Sequence, residues 1–126
     1  MGKKPLRILA IDDNLNCLRV AAKYLTLVGG HLVDVASSGT EGLKKAFELR
    51  PDLILLDMIM PDMNGLEVMD GLYTNADTRE IPVIVVTGAR VSESDYAVLK
   101  AKTNFMQLEE KPADFKKLLK TIEIII

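Results

Sequence analysis

The chain has 126 residues, 48% hydrophobic and 27% charged, with a formal net charge of −2 at pH 7. Its length fits one domain over residues 1–126 after a short N-terminal tail, residues 1–5, and its composition argues against a disordered chain. Neither sign of charge clusters and no apolar run approaches roughly 20 residues, so we expect no direct binding to nucleic acid or membranes. The chain has a single cysteine, Cys17, which we expect to be packed. One cysteine excludes an internal disulfide, and no signal-peptide pattern is present, so we expect a cytoplasmic location.

The first half of the chain alternates apolar strands with helical patterns. A strand over residues 6–11 precedes a helix that starts at Leu15 and stops at a glycine pair. A second strand over residues 32–36 precedes a helix that starts within Ser37–Thr40 and ends before a proline. Apolar spacings of three and four predict the core-facing positions of these helices, namely Leu15, Leu18, Ala21, Ala22, Leu25, Val28, Leu43, Ala46 and Phe47.

The second half continues the same alternation. Leu53–Leu56 is an apolar run typical of a strand that is buried on both faces of a parallel sheet. The remaining predicted elements are a helix from Asn64, a strand over 83–87, a helix from Ser92 to about Lys102, a strand within 105–109 and a helix from Asp114. Five strands that alternate with helices predict an α/β fold, a doubly wound parallel sheet with right-handed crossovers.

Polar residues stand at the carboxyl ends of four predicted strands. They are Asp12 and Asp13 after the first strand, Asp57 after the third, Thr87 at the end of the fourth and Lys111 after the fifth. In a parallel sheet these ends share one edge, where open α/β sheets bind their ligands. Three carboxylates there would repel each other unless a cation held them, and hard oxygen ligands suit Mg²⁺. With a lysine and a hydroxyl beside it, Asp57 is a plausible oxygen nucleophile for a phosphoryl group.

Each of these residues also has a simpler interpretation. The pair Asp12-Asp13 could cap the first helix, because acidic groups favour a helix N-terminus. Asp57 could be ordinary loop polarity, Thr87 a β-branched strand residue and Lys111 a solvated surface side chain. Their joint placement after successive strands favours a shared site over these separate explanations.

The chain resembles the receiver domain of two-component response regulators, such as the chemotaxis regulators, over essentially its whole length. The residues that carry the resemblance are Asp12-Asp13, Asp57 followed by Met60-Pro61-Asp62-Met63-Asn64-Gly65, Thr87 and Lys111-Pro112. The resemblance implies a flavodoxin-like fold, a five-stranded parallel sheet in the order 2-1-3-4-5 with five helices. It also implies a phosphoacceptor signalling domain rather than an enzyme. Such a domain catalyses only its own phosphorylation and dephosphorylation.

The resemblance further implies how the acidic residues act. Asp57 would accept a phosphoryl group from the phosphohistidine of a sensor histidine kinase in a Mg²⁺-dependent reaction. Asp13, Asp57 and the main-chain carbonyl of Ile59 would hold the cation, and Asp12 would act mostly through metal-bound water.

The remaining motif residues would pass phosphorylation on to an output. By the resemblance, Lys111 pairs with a phosphoryl oxygen, Thr87 moves to hydrogen-bond another, and the Lys111-Pro112 peptide bond is cis. Relatives usually carry Tyr or Phe three residues before the lysine, where this chain has Leu108. The surface of helix four, strand five and helix five would then switch, controlling a downstream effector or an attached output domain. A phosphorylation-linked homodimer is expected through the same surface.

Two alternatives and one further expectation depend on single positions. A pseudo-receiver, an interaction module independent of phosphorylation, stays open because of Leu108. A haloacid-dehalogenase-type phosphatase needs a second Asp two residues after its nucleophile, where this chain has Ile59. Ile59 and Ala89 flank the pocket without a polar side chain to orient water, so slow hydrolysis of phospho-Asp57 is expected. The cognate kinase, the output, and whether the chain stands alone or belongs to a larger regulator stay open.

Overall fold

The computed structural model describes residues 5–88 and 90–125, except for the side chain of residue 125. Its five strands are β1 (Arg7–Ile11), β2 (Leu32–Ala36), β3 (Leu53–Leu56), β4 (Val83–Thr87) and β5 (Phe105–Glu110). Its five helices are α1 (Leu15–Leu27), α2 (Gly39–Leu49), α3 (Gly65–Tyr73), α4 (Glu93–Lys100) and α5 (Phe115–Ile125). Within the described ranges, none of these helices is long and apolar enough to cross a bilayer.

The strands form one parallel sheet in the order β2-β1-β3-β4-β5. β1 lies between β2 and β3, with Leu9 opposite Ile54 in β3, and β3 in turn pairs with β4. The predicted doubly wound sheet, its strand order and its alternation with five helices are therefore confirmed. All strands run the same way, so their carboxyl ends meet at one edge of the sheet.

Alternate residues of the central strands face two separate halves of the core. Leu9, Ile11, Ile54 and Leu56 pack on one face with α2, α3 and α4, which contribute residues such as Ala46, Met69 and Leu99. Ile8, Ala10, Leu53 and Leu55 pack on the other face with α1 and α5, through Leu18, Leu25, Leu118 and Ile122. Every residue of β3 is buried, because helices cover both faces of a central parallel strand.

Three positions predicted to face the core are exposed instead. Phe47 is 37% exposed, Leu15 57% and Val28 63%. The buried residues of α2 are Gly39, Gly42 and Ala46, a stripe of small side chains. A Cβ at Gly42 would lie 2.5 Å from Cδ1 of Ile11, so this close packing of α2 on β1 requires glycine. Phe47, one position beyond that stripe, is turned toward solvent.

The ends of several elements differ slightly from the prediction. α4 ends at Lys100 rather than near Lys102, and β5 extends to Glu110. α3 begins at Gly65, with Asn64 as its N-cap in a capping box that Glu67 completes. Ser92 caps α4 as predicted. These shifts of one or two residues leave the polar strand ends where the alternation predicts them.

Candidate functional site

The acidic pair follows β1 directly and does not cap the next helix. Asn14 is the N-cap of α1, and its side chain accepts from the amide of Cys17 at 3.1 Å. Asp12 is buried, and its Oδ1 accepts from the amide of Asn14 at 2.9 Å. Asp13 is exposed. The interpretation of this pair as a helix cap is therefore wrong, and both carboxylates lie at the sheet edge.

Asp57 follows β3 and lies beside the acidic pair. Its amide donates to the carbonyl of Ile11 at 2.9 Å, which continues the ladder between β1 and β3. Its side chain is buried. One carboxylate oxygen from each of Asp12, Asp13 and Asp57 lies within 4.8 Å of the other two. The three carboxylates thus converge, as the parallel topology predicts.

Thr87 and Lys111 reach the same place from β4 and β5. Nζ of Lys111 lies 2.5 Å from Oδ2 of Asp12 and 3.8 Å from Oδ1 of Asp57. Thr87 is buried, and its side chain hydrogen-bonds to Asp57. The amide of Lys111 donates to the carbonyl of Thr87 at 3.0 Å, which ties the ends of the two strands together. The Lys111-Pro112 peptide bond is cis, as expected.

The site carries more negative than positive charge. Burial and the charge of Asp12 raise the pKa of Asp57, although Lys111 and the hydrogen bond from Thr87 oppose that rise. Burial acts to lower the pKa of Lys111, but the hydrogen bond to Asp12 and the charge of Asp57 outweigh it and raise the pKa. Lys111 is therefore cationic at neutral pH. Among the residues that the structure describes, the ammonium of Lys111 faces three carboxylates at this corner, and its single charge does not balance theirs.

A divalent cation fits this excess of negative charge. Mg²⁺ favours oxygen ligands and keeps several waters, so one or two carboxylates suffice to bind it. The carbonyl of Met58 is already engaged, because it accepts from the amide of Gly65 at 2.7 Å. The next carbonyl along the loop, and the one that the family resemblance assigns to the cation, is that of Ile59. The Ile59 side chain is 60% exposed and takes no part in the core. The donor set and the charge of the site thus agree with a magnesium site.

Two cavities adjoin the site. A groove of about 470 Å³ lies between α1 and α5, and Asp57, Lys111 and Cys17 are among its lining residues. Cys17, predicted to be packed, is half-buried in that wall. A second cavity of about 490 Å³ lies on the β5 side, lined in part by Thr87 and Leu108. Leu108 is itself half-buried against the core, and Ala89, predicted to flank the pocket, lies outside the described residues.

Sequence reasoning assigned no role to Asp62, which makes three hydrogen bonds to the start of α2. Its oxygens accept from the amides of Gly39 and Thr40 and from the Thr40 hydroxyl. Those bonds, Thr40 first, lower the pKa of Asp62 to about 2. A sequence signal for this contact did exist. Asp62 lies in a loop at the carboxyl edge of the sheet, where α2 also begins, and the first amides of a helix have no partner within the helix.

Comparison with known proteins agrees with this geometry. The family model of the response regulator receiver domain matches residues 8–123. Among solved structures, the chemotaxis protein CheY4 of Vibrio cholerae superposes with a TM-score of 0.87 at 27% identity, covering 98% of this chain and 100% of that one. The N-terminal domain of a response regulator receiver protein from Methanoculleus marisnigri gives a TM-score of 0.77 at 28% identity, covering 98% of each chain.

Three curated proteins show the range of lengths among the relatives. Protein PilH of Pseudomonas aeruginosa is 34% identical over 120 residues, 95% of this chain and 97% of that protein. The nitrate/nitrite response regulator protein NarL of Escherichia coli is 36% identical, covering 94% of this chain and 55% of NarL. Protein-glutamate methylesterase/protein-glutamine glutaminase 5 of Myxococcus xanthus is 34% identical, covering 86% of this chain but 30% of that protein. The chain thus spans less than two thirds of two of these relatives and nearly all of PilH.

Proposed function

The chain belongs to the response regulator receiver domain family, and we propose on that premise that it is a phosphorylation switch with Asp57 as phosphoacceptor. A sensor histidine kinase would supply the phosphoryl group from a phosphohistidine. The observation that carries this proposal is the position of Asp57, buried at the sheet edge within reach of both Lys111 and Thr87. We further propose that residues 1–126 act as one cytoplasmic domain, with residues 1–5 as a tail.

The proposed transfer moves one phosphoryl group between two side chains. A carboxylate oxygen of Asp57 forms a bond to phosphorus while the P–N bond of the phosphohistidine breaks. The electron pair of that bond returns to the imidazole nitrogen, which is protonated, and Asp57 becomes an acyl phosphate. Lys111, at 3.8 Å from Oδ1 of Asp57, pairs with one phosphoryl oxygen. The hydroxyl of Thr87 donates a hydrogen bond to another phosphoryl oxygen.

The acidic residues would bind Mg²⁺ during the transfer. Asp13, Asp57 and the carbonyl of Ile59 are the proposed protein ligands. When bound, the cation neutralises charge that develops on the phosphoryl oxygens. Asp12, whose Oδ2 already contacts Nζ of Lys111 at 2.5 Å, would contribute its charge to holding the cation through water rather than by direct ligation. The excess negative charge around Asp57 supports a cation at this place.

The proposed output is a change in the surface formed by α4, β5 and α5. Thr87 ends β4, and its carbonyl accepts from the amide of Lys111 after β5, so a movement of Thr87 would reach both strands. The changed surface would bind a downstream effector or an attached output domain, or would form a phosphorylation-linked homodimer. The chain itself would not contact nucleic acid or a membrane.

The first experiment is intact mass spectrometry after incubation with acetyl phosphate and Mg²⁺. We expect the wild type to gain one phosphoryl group, and Asp57→Asn to gain none. A matched control is Asp52→Asn. Asp52 is an exposed carboxylate directly before β3, at the opposite edge of the sheet from the site, and it accepts from the amide of Arg7. Absence of any gain in folded wild-type protein would contradict the proposal.

A pseudo-receiver is the second candidate function, and one observation favours it. Leu108 stands where relatives usually carry an aromatic ring, and it is already half-buried against the core. A chain of this kind would bind its partner equally well with and without phosphorylation. A partner that distinguishes the wild type from Asp57→Asn under phosphorylating conditions would exclude this candidate.

A further inference from the structure

The loop that joins β3 to α3 carries Asp57 and Ile59 and is held at both ends. At its start, the amide of Asp57 donates to the carbonyl of Ile11 at 2.9 Å. At its end, the amide of Gly65 donates to the carbonyl of Met58 at 2.7 Å, which closes the loop on itself. The side chain of Ile59 is exposed. These two hydrogen bonds close the loop but do not join its outer part to another helix.

Asp62 makes that connection to the first turn of α2. Its Oδ1 accepts from the amide of Gly39 at 3.0 Å, and its Oδ2 accepts from the amide of Thr40 at 2.8 Å. The hydroxyl of Thr40 also donates to Oδ2 at 2.7 Å. The fit is close, because a Cβ at Gly39 would collide with the side chain of Met63 from the same loop. The loop and the helix start are thus fastened together over adjacent residues.

Helix α2 has its own N-cap and does not need Asp62 for capping. The side chain of Ser38 accepts from the amide of Glu41 at 3.1 Å, and the carbonyl of Ser38 accepts from the amide of Gly42 at 2.9 Å. Asp62 serves the first two amides of the helix, those of the buried Gly39 and the exposed Thr40, and water could satisfy the amide of Thr40 at a helix end. What Asp62 adds beyond water is a fixed position for its own loop.

The connection persists over the physiological pH range. Hydrogen bonds from Thr40 and then Gly39 lower the pKa of Asp62 to about 2, so the carboxylate stays ionised. A carboxylate at a helix N-terminus is also favoured by the partial positive charge of the macrodipole. The carboxylate therefore keeps its charge, and with it its three acceptor bonds, at neutral pH.

We infer that Asp62 is a positioning residue for the cation site, because it fastens the loop to α2 and so holds the carbonyl of Ile59 beside Asp57. The inference rests on the proposed function, in which that carbonyl is a ligand of Mg²⁺. Mg²⁺ requires a near-octahedral arrangement of its ligands, so a carbonyl on an unfastened loop binds it less tightly. Residues that orient metal ligands from outside the coordination shell typically change metal affinity by about 10- to 100-fold.

The test compares Mg²⁺ affinity, measured by isothermal titration calorimetry, among variants at both edges of the sheet. Asp62→Ala removes all three bonds, and we expect the dissociation constant for Mg²⁺ to rise about tenfold. Thr40→Val removes only the hydroxyl donor and keeps both amide bonds, so a measurable but smaller rise than in Asp62→Ala is expected. The matched control is Asp52→Ala, which removes a carboxylate that accepts from the amide of Arg7 at 2.8 Å, and its affinity should equal that of the wild type.

Amide hydrogen exchange in metal-free protein gives a readout that does not depend on the cation. Asp62→Ala should speed exchange at Gly39, Thr40 and the loop residues around Ile59, and leave β3 unchanged. Wild-type Mg²⁺ affinity in folded Asp62→Ala, or an equal loss in Asp52→Ala, would overturn the inference. If Asp62→Ala does not fold, Thr40→Val decides, and an unchanged affinity there overturns it. Wild-type protein that binds no Mg²⁺ would overturn both this inference and the proposed function.

Discussion

Nζ of Lys111 lies 2.5 Å from Oδ2 of Asp12, a partner 99 residues away along the chain. The longer distance of 3.8 Å to Oδ1 of Asp57 means that Lys111 is held mainly by Asp12 while it also faces the proposed phosphoacceptor. A phosphoryl group on Asp57 would bring oxygens toward a cation that is already in place. Asp12 therefore orients the lysine as well as adding to the negative charge of the site.

Removal of the lysine should slow phosphorylation strongly. In Lys111→Ala the transferred group loses the ammonium of that side chain, and we expect the rate of phosphorylation by acetyl phosphate to fall about a hundredfold. Lys111→Arg should retain only part of the rate, because the larger guanidinium does not reproduce a point charge. Intact mass measured over time gives the rates. Lys102→Ala, which breaks an ion pair with Asp70 away from the site, is the control and should react like the wild type.

Neutralising Asp57 should stabilise the metal-free fold, and the effect should depend on pH. Burial, with the charge of Asp12, raises the pKa of Asp57 above its unfolded value of 3.8. A raised carboxyl pKa contributes stability that is present below the unfolded value and is lost as pH rises through the folded value. At pH 7 we therefore expect Asp57→Asn to gain about 1–2 kcal/mol in the free energy of unfolding, the usual scale of a single substitution.

Measuring the difference in free energy of unfolding between wild type and Asp57→Asn in acid checks the direction of this effect. Urea unfolding of both proteins in the absence of metal gives the comparison. Near pH 3.5, below the ordinary pKa of an Asp side chain (about 3.9), the difference between wild type and Asp57→Asn should be close to zero. A wild type that is as stable as Asp57→Asn at pH 7 would show that Lys111 and Thr87 fully compensate the burial.

Mg²⁺ should stabilise the folded chain through the acidic residues. A ligand that binds only the folded state at a hundred times its dissociation constant adds about 2.7 kcal/mol to the free energy of unfolding. We expect a gain of this size for the wild type, its reversal by a chelator, and little gain for Asp13→Asn. Thermal unfolding with and without Mg²⁺ measures all three. A gain in Asp13→Asn equal to that of the wild type would remove Asp13 from the proposed ligands.

The hydrogen bonds of Asp62 should contribute to acid stability in a different pH range. Bonds from Thr40 and Gly39 lower its pKa to about 2 from 3.8. A lowered carboxyl pKa contributes stability that is present above the unfolded value and is lost as pH falls through the folded value. Asp62→Asn should therefore melt at a lower temperature than the wild type at pH 7, and the gap should close between about pH 4 and pH 2. A constant gap across this range would contradict the assignment.

Ile59 should set the lifetime of the phosphorylated form. Its exposed hydrocarbon side chain has no group to orient a water molecule for attack on phospho-Asp57. Ile59→Asn places an amide there, and we expect hydrolysis to become about tenfold faster. The decay of the added mass after removal of acetyl phosphate gives the rate, with Ile59→Val as the control. An unchanged decay rate in Ile59→Asn would show that this position does not limit hydrolysis.

Much of the site was predictable because parallel topology converts chain order into spatial proximity. Once strands and helices alternate, residues that follow different strands must share one edge, as Asp12, Asp57 and Lys111 do. The convergence of the carboxylates within 4.8 Å also requires β1 and β3 to be neighbours in the sheet, an order that the family resemblance implied and that the structure shows. Helix faces were less predictable, because apolar spacing does not show how far a buried stripe extends. Phe47 is exposed since glycines and alanine, rather than large residues, form the packed stripe of α2.

The sequence by itself determined the order of elements, the parallel sheet and the residues at its carboxyl edge, because these depend on local apolar patterns and chain connectivity. Only the tertiary structure decided that Lys111 bonds to Asp12 and that Asp62 fastens its loop to α2. Such contacts depend on differences of about an ångström between residues far apart in the chain, since hydrogen bonds weaken steeply with distance and angle. Packing of the helices on the sheet sets those distances, and local sequence patterns carry no record of them.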